Sequence, residues 1–502
     1  MSTGSTAEPQ FVPPRPTRPR WPWGVAVPVV VALLVFGGLR VFGSDDSCGG
    51  GTRSGPSHEC IGVSDSYAYE DSLKSVMKLI EAENDRVDTS GKKWVSVAYV
   101  LPITTDLEQE ALKYDTKEEL EGAYLAQLRL NDPDLGGNGD TPQIKLLVAN
   151  VGLRSEQWQP LAERLIAMTK GDHPLVGVAG FGQSRGGTLS LVNELRAAKV
   201  PMMGATVTAD KLASATDVGF FRTAPPNVDQ ASAAARHLKA KQQSTPGYDV
   251  LVVRDRNTDD IYNTSLYSDF VSAAKRERLT LVEGDQDYIS GVDGISNAFA
   301  SVANGVCAKR PEAVFFAGRG ANLRNFITAM SAPARRCQVT VLTGDDAVGV
   351  YPDRSLDEAN RKQFESNWRN SKVTALYTAL GHPALPGRLY DADHNPLPGF
   401  TKLYHDTFGQ TDGDMFEDGQ VILAHDAVWT LGAAVRAAAG ETGTAPVTPG
   451  SVLSALVSLA DVQGISGKID LGSDGNPQDK AMALVQLEPD RRFVFNGVIR
   501  PG

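Results

Sequence analysis

LVGVAGFGQSRGGTLSLVNELRAAKVPMMGATVTADKL, residues 175–212, begins with an apolar run from Leu175 to Ala179 and a glycine-rich turn from Gly180 to Gly187. Leu189, Val192 and Leu195 follow at helical spacing, and a second short apolar run closes the stretch. The order predicts strand, loop, helix, strand. The loop Gly182-Gln183-Ser184-Arg185-Gly186 suits a hydrolase nucleophile elbow, a dinucleotide-binding turn or a carboxylate-binding turn. All three set negative, or developing negative, charge against backbone N–H groups at a helix N-terminus.

The same rhythm continues on both sides. Upstream, WVSVAYVLPIT and IKLLVANVG read as strands, and LEGAYLAQLRLN and WQPLAERLIAMTK as helices. Downstream, Phe221 to Pro226 reads as a crossover, after which helices and strands alternate again: VDQASAAARHLKAK, DVLVVRD, the helix from Tyr262 to Ala274, LTLVEGD, GISNAFASVAN, AVFFAG, NLRNFITAM and QVTVLTGDD. Two such α/β units imply two mostly parallel sheets covered on both faces, with a ligand expected at their carboxyl edges. Later, VTALYTALG reads as a returning strand and Val421 to Ala438 as a strong helix. GISGKIDLGSDGNPQ and MALVQL read as a hairpin around a Ser-Asp-Gly-Asn-Pro turn.

Trp21 to Phe42 is almost wholly apolar; about 22 residues at about 1.5 Å each reach roughly 33 Å, enough to span a bilayer. Arg15, Arg18 and Arg20 precede it, which predicts a cytoplasmic N-terminus and an exported remainder. The length of the run, and the lack of a small-x-small site after it, favour an uncleaved anchor over a signal peptide. The expected organisation is a disordered tail (1–20), a transmembrane signal-anchor (21–43), a Gly/Ser-rich spacer with a juxtamembrane element (44–93), lobe 1 (94–224), lobe 2 (225–345), and a return to lobe 1 with a closing segment (346–502).

Composition narrows the function. A net charge of -11 lacks the basic excess that phosphate backbones demand, so nucleic acid is not an expected partner. Four cysteines in an exported chain suggest two disulfides, paired most simply by proximity as Cys48 with Cys60 and Cys307 with Cys337. None of the seven histidines joins a cysteine at zinc-ligand spacing, and no metal or other cofactor is expected.

Several motifs in order resemble the type I periplasmic-binding proteins, in particular the branched-chain amino acid binding proteins and their receptor relatives. LEGAYLAQLRLN resembles the first helix of that family, GFGQSRGGT with VPMMGATVTADKL its ligand loop and next strand, and FFRTAPPNVDQASAAARHL its interlobe crossing. DDIYNTSLYSDF resembles the aspartate-to-tyrosine segment of the second lobe, TGDDAVGV a return crossing, HDAVWTLGAAVRAA a late helix, and GISGKIDLGSDGN a C-terminal turn. The resemblance covers about residues 94–490. It implies a Venus-flytrap fold of two doubly wound Rossmann-like lobes with an interlobe cleft, and ligand binding without catalysis.

By the same resemblance Ser184 and neighbouring amides would bind a ligand carboxylate, with Thr206 and Thr208 adding donors. Tyr262 would close from lobe 2, and Asp346 would pair with an ammonium group. The expected ligand is a small amino acid-like molecule or small carboxylate. Arg185 and Arg319 depart from the family pattern and suggest a more anionic one, while the family's Tyr-Gly is here Tyr262-Asn263. The implied role is substrate capture for an ABC permease, or alternatively a surface sensor acting through a partner. A serine hydrolase using Ser184 with Asp345 or Asp346 and His382, His405 or His425 is a second alternative, without a recognisable oxyanion motif upstream.

Overall fold

A computed structural model describes residues 48–502 apart from 50, 57, 106–111, 137–140, 336, 352–357 and 410–415. The expected tail at 1–20 and anchor at 21–43 lie outside the described residues.

Lobe 1 runs through β1 (Thr52–Ser54), β2 (Cys60–Ser64), α1 (Lys74–Thr89), β3 (Trp94–Leu101), α2 (Leu112–Asn131), β4 (Gln143–Asn150), α3 (Trp158–Met168), β5 (Leu175–Gly180), α4 (Gly186–Ala197), β6 (Met202–Gly204) and β7 (Phe220–Arg222). Its strands lie in the order β1-β2-β4-β3-β5-β6-β7. From β4 to β7 the pairing is parallel, whereas β1 and β2 add an antiparallel edge. Successive side chains of a strand point to opposite faces. Val97 and Tyr99 therefore pack in one core with residues of α1 and α2, and Ala98 and Val100 in another with residues of α3 and α4.

Lobe 2 follows with α5 (Asn227–Ser244), β8 (Val250–Asp255), α6 (Ile261–Glu277), β9 (Gln286–Tyr288), α7 (Ile295–Lys309), β10 (Ala313–Ala317), α8 (Gly320–Met330), β11 (Val339–Thr343), α9 (Glu358–Arg369) and β12 (Val373–Ala379). The chain then passes through α10 (Pro386–Leu389), α11 (Leu397–Phe408), α12 (Gln420–Ala439), α13 (Pro449–Ser458), β13 (Val462–Gly464), β14 (Gly467–Ile469), β15 (Met482–Leu487) and β16 (Phe493–Ile499). The second sheet has the order β16-β15-β12-β11-β10-β8-β9, with β15 antiparallel to both its neighbours, β12 and β16. Both sheets are thus mixed rather than purely parallel.

Several boundaries differ from the sequence reading. Residues 52–89, expected as spacer and juxtamembrane element, belong to lobe 1: β2 pairs with β4, and Leu73, Val76, Met77 and Ile80 are in its core. The Cys48–Cys60 disulfide fastens this stretch at the start of β2, and Cys307–Cys337 joins α7 to the segment before β11. TGDDAVGV is no interlobe crossing, because the chain stays in lobe 2 to add β12 beside β11. Residues 346–502 therefore do not simply return to lobe 1. Their strands β12, β15 and β16 complete lobe 2, while α12 packs on α2 in lobe 1.

LTLVEGD supplies only an isolated bridge at Leu281, and the strand of that region is β9. β14 pairs with β13, so the expected hairpin between GKID and MALVQL does not form. β15 is instead taken up by β12 and β16, each of which offers a longer ladder.

Three passages link the lobes: 223–226, 380–385 and 470–481. Ala224, Leu380 and Leu423 form a small apolar cluster where the first two meet α12. Beside them α2 and α12 approach so closely that a methyl group on Gly122 would strike the Val421 carbonyl, which makes glycine necessary there.

Candidate functional site

The carboxyl ends of the parallel strands converge on the interlobe cleft, as the fold class leads one to expect. Lobe 1 contributes Leu101 at the end of β3 and Pro102 after it, Ser184 after β5, and Thr206 and Thr208 after β6. Lobe 2 contributes Tyr262 at the start of α6, Arg319 after β10, and Asp345 and Asp346 after β11. All five residues proposed from sequence, Ser184, Thr206, Thr208, Tyr262 and Asp346, line this one cleft.

The loop after β5 is shaped by backbone conformation. Gly180, Phe181 and Gly182 all have positive φ, at 92°, 80° and 57°. A side chain on Gly182 would also collide with Pro102. This bend brings Ser184 against the β6 segment, where its Oγ accepts from Thr208 N at 3.0 Å and Ala209 N at 3.1 Å. Ser184 is therefore not the cap of α4, whose N-cap is Arg185 and has no side-chain cap bond. With both acceptor positions engaged, the Ser184 hydroxyl keeps its proton available to donate.

The threonines are committed within the protein. Thr206 Oγ1 lies 3.1 Å from the Gly182 carbonyl and 3.3 Å from Glu119 Oε1. Thr208 Oγ1 donates across the cleft to Asp345 Oδ1 at 3.3 Å.

Arg319, 8% exposed, dominates the lobe 2 wall. Its Nε and Nη2 donate to the two oxygens of Asp260 at 2.9 Å each, and Nη1 donates to Asp346 Oδ2 at 2.6 Å. Nη2 also reaches the Ser184 carbonyl at 2.8 Å, a direct bond between the lobes. Its guanidinium sits 4.5 Å from the centre of the Tyr262 ring, at cation–π distance. Burial works against its charge, but Asp260 and Asp346 outweigh burial and push its pKa up. Burial likewise opposes the charged form of Asp260, which Arg319 and Arg185 nevertheless hold below the usual carboxylate range. Arg185 lies 3.8 Å from Asp260. Burial and the nearby Arg319 lower its pKa to about 10.

Asp346, expected to meet a ligand ammonium, is thus ion-paired with Arg319, and its Oδ1 accepts from Gly320 N at 2.8 Å. Its own N donates to Tyr262 Oη at 3.2 Å, so the tyrosine is a strut of this wall.

The opposite end of the cleft is acidic. Asp115, Glu119 and Asp418 line it, and the carboxylates of Asp115, Glu118 and Asp418 all lie within 4.8 Å of one another. Burial, then the charge of Asp418, pushes both Asp115 and Glu118 well above the ordinary range, and burial also raises Asp418. Glu119 accepts from Tyr99 Oη at 2.6 Å, yet burial lifts it to about 7. Asp345 is raised by burial to about 6 although Gln230 donates to it at 2.8 Å.

Asp115, Glu118, Glu119 and Asp418 escaped the sequence reading, which named Asp345 only as a candidate triad acid. Asp115, Glu118 and Glu119 stand three and four apart, which puts them on one face of α2, but Asp418 comes from a segment some three hundred positions away. The suggestion of an anionic ligand from Arg185 and Arg319 is corrected here: five carboxylates and a single guanidinium line the cleft, and that guanidinium is fully paired.

A serine-hydrolase triad is not assembled. Among the described residues no histidine lines the cleft. His425 is buried in lobe 1, its Nδ1 2.9 Å from Asp426 and its Nε2 2.9 Å from Arg129. Since arginine only donates, Nε2 accepts and the ring is neutral with its proton on Nδ1, in keeping with a pKa lowered mainly by burial. His382 accepts from Ala384 N.

No family model matches the chain, and no curated protein does. Solved structures share its fold. The leucine-binding protein LivK of Thermotoga maritima is 16% identical, with 81% of this chain and 99% of that one covered and a TM-score of 0.59. LivJ of Streptococcus pneumoniae, a branched-chain amino acid transporter substrate-binding protein solved with isoleucine, is 14% identical over 81% and 99%, with a TM-score of 0.58. An ABC transporter substrate-binding protein of Desulfitobacterium hafniense in complex with leucine is 16% identical over 80% and 99%, with a TM-score of 0.56. The chain therefore has the two-lobed α/β fold of the type I periplasmic-binding proteins that its motifs resemble.

Proposed function

We propose that this protein is a membrane-anchored solute receptor that captures a small amino acid-like molecule between its lobes, as the substrate-binding component of an ABC importer. One observation carries the reading: polar side chains from both lobes converge on a single cleft, and the lobes hydrogen-bond across it through Arg319 to Ser184 and Thr208 to Asp345. Such a cleft closes around a ligand without needing a reactive group, and Ser184 offers a hydroxyl donor rather than a nucleophile. The likeness in fold to proteins named for leucine and branched-chain amino acid binding supports the same reading.

The apolar run 21–43 holds the receptor at the membrane with the lobes outside, and two disulfides suit an oxidising exterior. Lobe closure would present a changed surface to a permease. In the sensor alternative the same closure reports to a separate protein.

Thermal denaturation of the full-length protein across the common amino acids and small amines provides the test. At least one raises the melting temperature in a saturable way, and Ser184→Ala weakens that ligand about tenfold, as expected for a lost hydrogen bond at a buried site. No stabilisation by any member of the panel overturns solute capture.

A further inference from the structure

The acidic end of the cleft is built for something the protein does not itself provide. Asp115, Glu118 and Asp418, all half-buried, bring their carboxylates within 4.8 Å of one another. Glu119, 4% exposed, stands beside them. At the other end of the same cleft Asp260 and Asp346 are answered by Arg319. Among the described residues no ion pair answers the acidic end, and the largest charge effects on Asp115 come from Asp418, Glu119 and Asp346, and on Glu118 from Asp418, Asp115 and Glu121. Like charges this close are costly, and folded proteins seldom keep them without a counter-charge.

Independent of the acids, two neutral acceptors point into the same space. Tyr377, 1% exposed and on the lobe 2 strand β12, lines the cleft with a buried Oη that has no hydrogen-bond partner. Its hydroxyl feels Asp418 more than any other charge. Gln420, 9% exposed and at the start of α12, lines the cleft with an unpartnered Oε1. The buried Glu118 Oε2 is unpartnered too. A buried acceptor left unmade costs about 1–3 kcal/mol, so a tyrosine, a glutamine and a carboxylate left unmet around one space mark the place of a donor-rich ligand.

We infer that the ligand carries an ammonium or guanidinium group, which enters the acidic end and donates to Asp115, Glu118, Asp418, Gln420 Oε1 and Tyr377 Oη, while its remaining part faces Ser184. The inference rests on the solute-capture reading above and narrows it to cationic small molecules. An organic cation suits this set because a neutral phenol, a side-chain amide oxygen and carboxylates all accept N–H bonds; the three carboxylates, within 4.8 Å of one another, are also spaced for a metal ion, which the titration below separates from it. Burial and neighbouring carboxylates hold Asp115 and Glu118 toward their protonated forms, and a bound cation favours the charged forms, so binding releases protons. The groups facing the site are Asp115, Glu118, Glu119, Glu121, Asp346, Asp418 and the phenol of Tyr377.

Calorimetric titration of the full-length protein in detergent, at pH 7.5, with arginine, agmatine, leucine and glutamate tests this. Arginine or agmatine binds at least tenfold more tightly than leucine and glutamate. The double variant Glu118→Gln with Asp418→Asn loses at least tenfold for the cation, yet its ligand-free melting temperature rises by about 2–4 °C because repulsion has been removed. Tyr377→Phe, which keeps the buried ring, weakens the cation about threefold. Tighter binding of leucine or glutamate overturns the cationic class and leaves solute capture standing, whereas no binding of any probe up to 10 mM overturns both. Stabilisation by CaCl2 or MnCl2 that arginine does not compete with replaces the organic cation by a metal. Unchanged cation affinity in both variants removes the site from these residues.

Discussion

The two ends of the cleft hold similar residues in opposite states. Around Arg319, two carboxylates and a guanidinium close a network in which every charge has a partner, and their mutual attraction outweighs the burial that opposes each charge. Around Asp115, Glu118 and Asp418 carboxylates face one another, and burial drives them toward protonation instead. The paired end is a finished wall that fixes Tyr262, Asp346 and the approach to Ser184. The unpaired end is unfinished in the protein's own terms, so it is there that a ligand's charge counts.

Replacing Arg319 is the strongest way to break this contrast. Arg319→Met leaves Asp260 and Asp346 buried without their cation, and chemical denaturation is expected to register a loss of about 3–5 kcal/mol. A loss below about 1 kcal/mol means that the paired end is not a structural wall.

A pH series sharpens the other side. A carboxyl whose folded pKa is raised contributes stability at low pH and loses it as pH climbs through the folded value. For Glu119 that window runs from 4.5 up to about 7. The groups facing it are Tyr99, Thr206 and Asp418. Half-buried His237 and buried His382 and His425 have lowered pKa values and slope the opposite way over neighbouring pH. The measurement is therefore the difference between wild type and Glu119→Gln, in which the variant gains about 2 kcal/mol on wild type between pH 5 and pH 8. Parallel curves for the two proteins count against a strained acid at this end.

The smallest effect is expected at Tyr262. Tyr262→Phe keeps the ring under Arg319 and removes only the acceptor for Asp346 N, for a loss of about 1 kcal/mol in the same denaturation assay. A larger loss than that of Arg319→Met would reverse the assignment of the guanidinium as the centre of the wall.

Much of this protein is written locally. The apolar runs and helical spacings on either side of Gly180 to Gly187 predict a repeated α/β pattern, since side-chain direction repeats every two residues in a strand and every three to four in a helix. They also place Ser184, Thr206 and Thr208 after strands and Tyr262 at the start of a helix, and the structure finds all four lining the cleft. The same local signals misjudged residues 52–89, because a short edge strand beside a Gly/Ser-rich stretch has no periodicity long enough to read. They also gave β12 to the wrong lobe, because an apolar strand carries no label for the sheet it joins.

Charge was decided by tertiary structure alone. Arg319 could be read from sequence as a cation awaiting an anionic ligand. Only folding brings Asp260 and Asp346, respectively 59 and 27 positions away, within hydrogen-bonding distance of it. Asp115 and Asp418 are distant in the chain yet share one corner of the cleft. Hydrogen bonds and ion pairs act over a few ångströms of space, whereas a sequence orders residues only along the chain. The fold was therefore legible from periodicity, while the sign of the charge its cleft awaits was not.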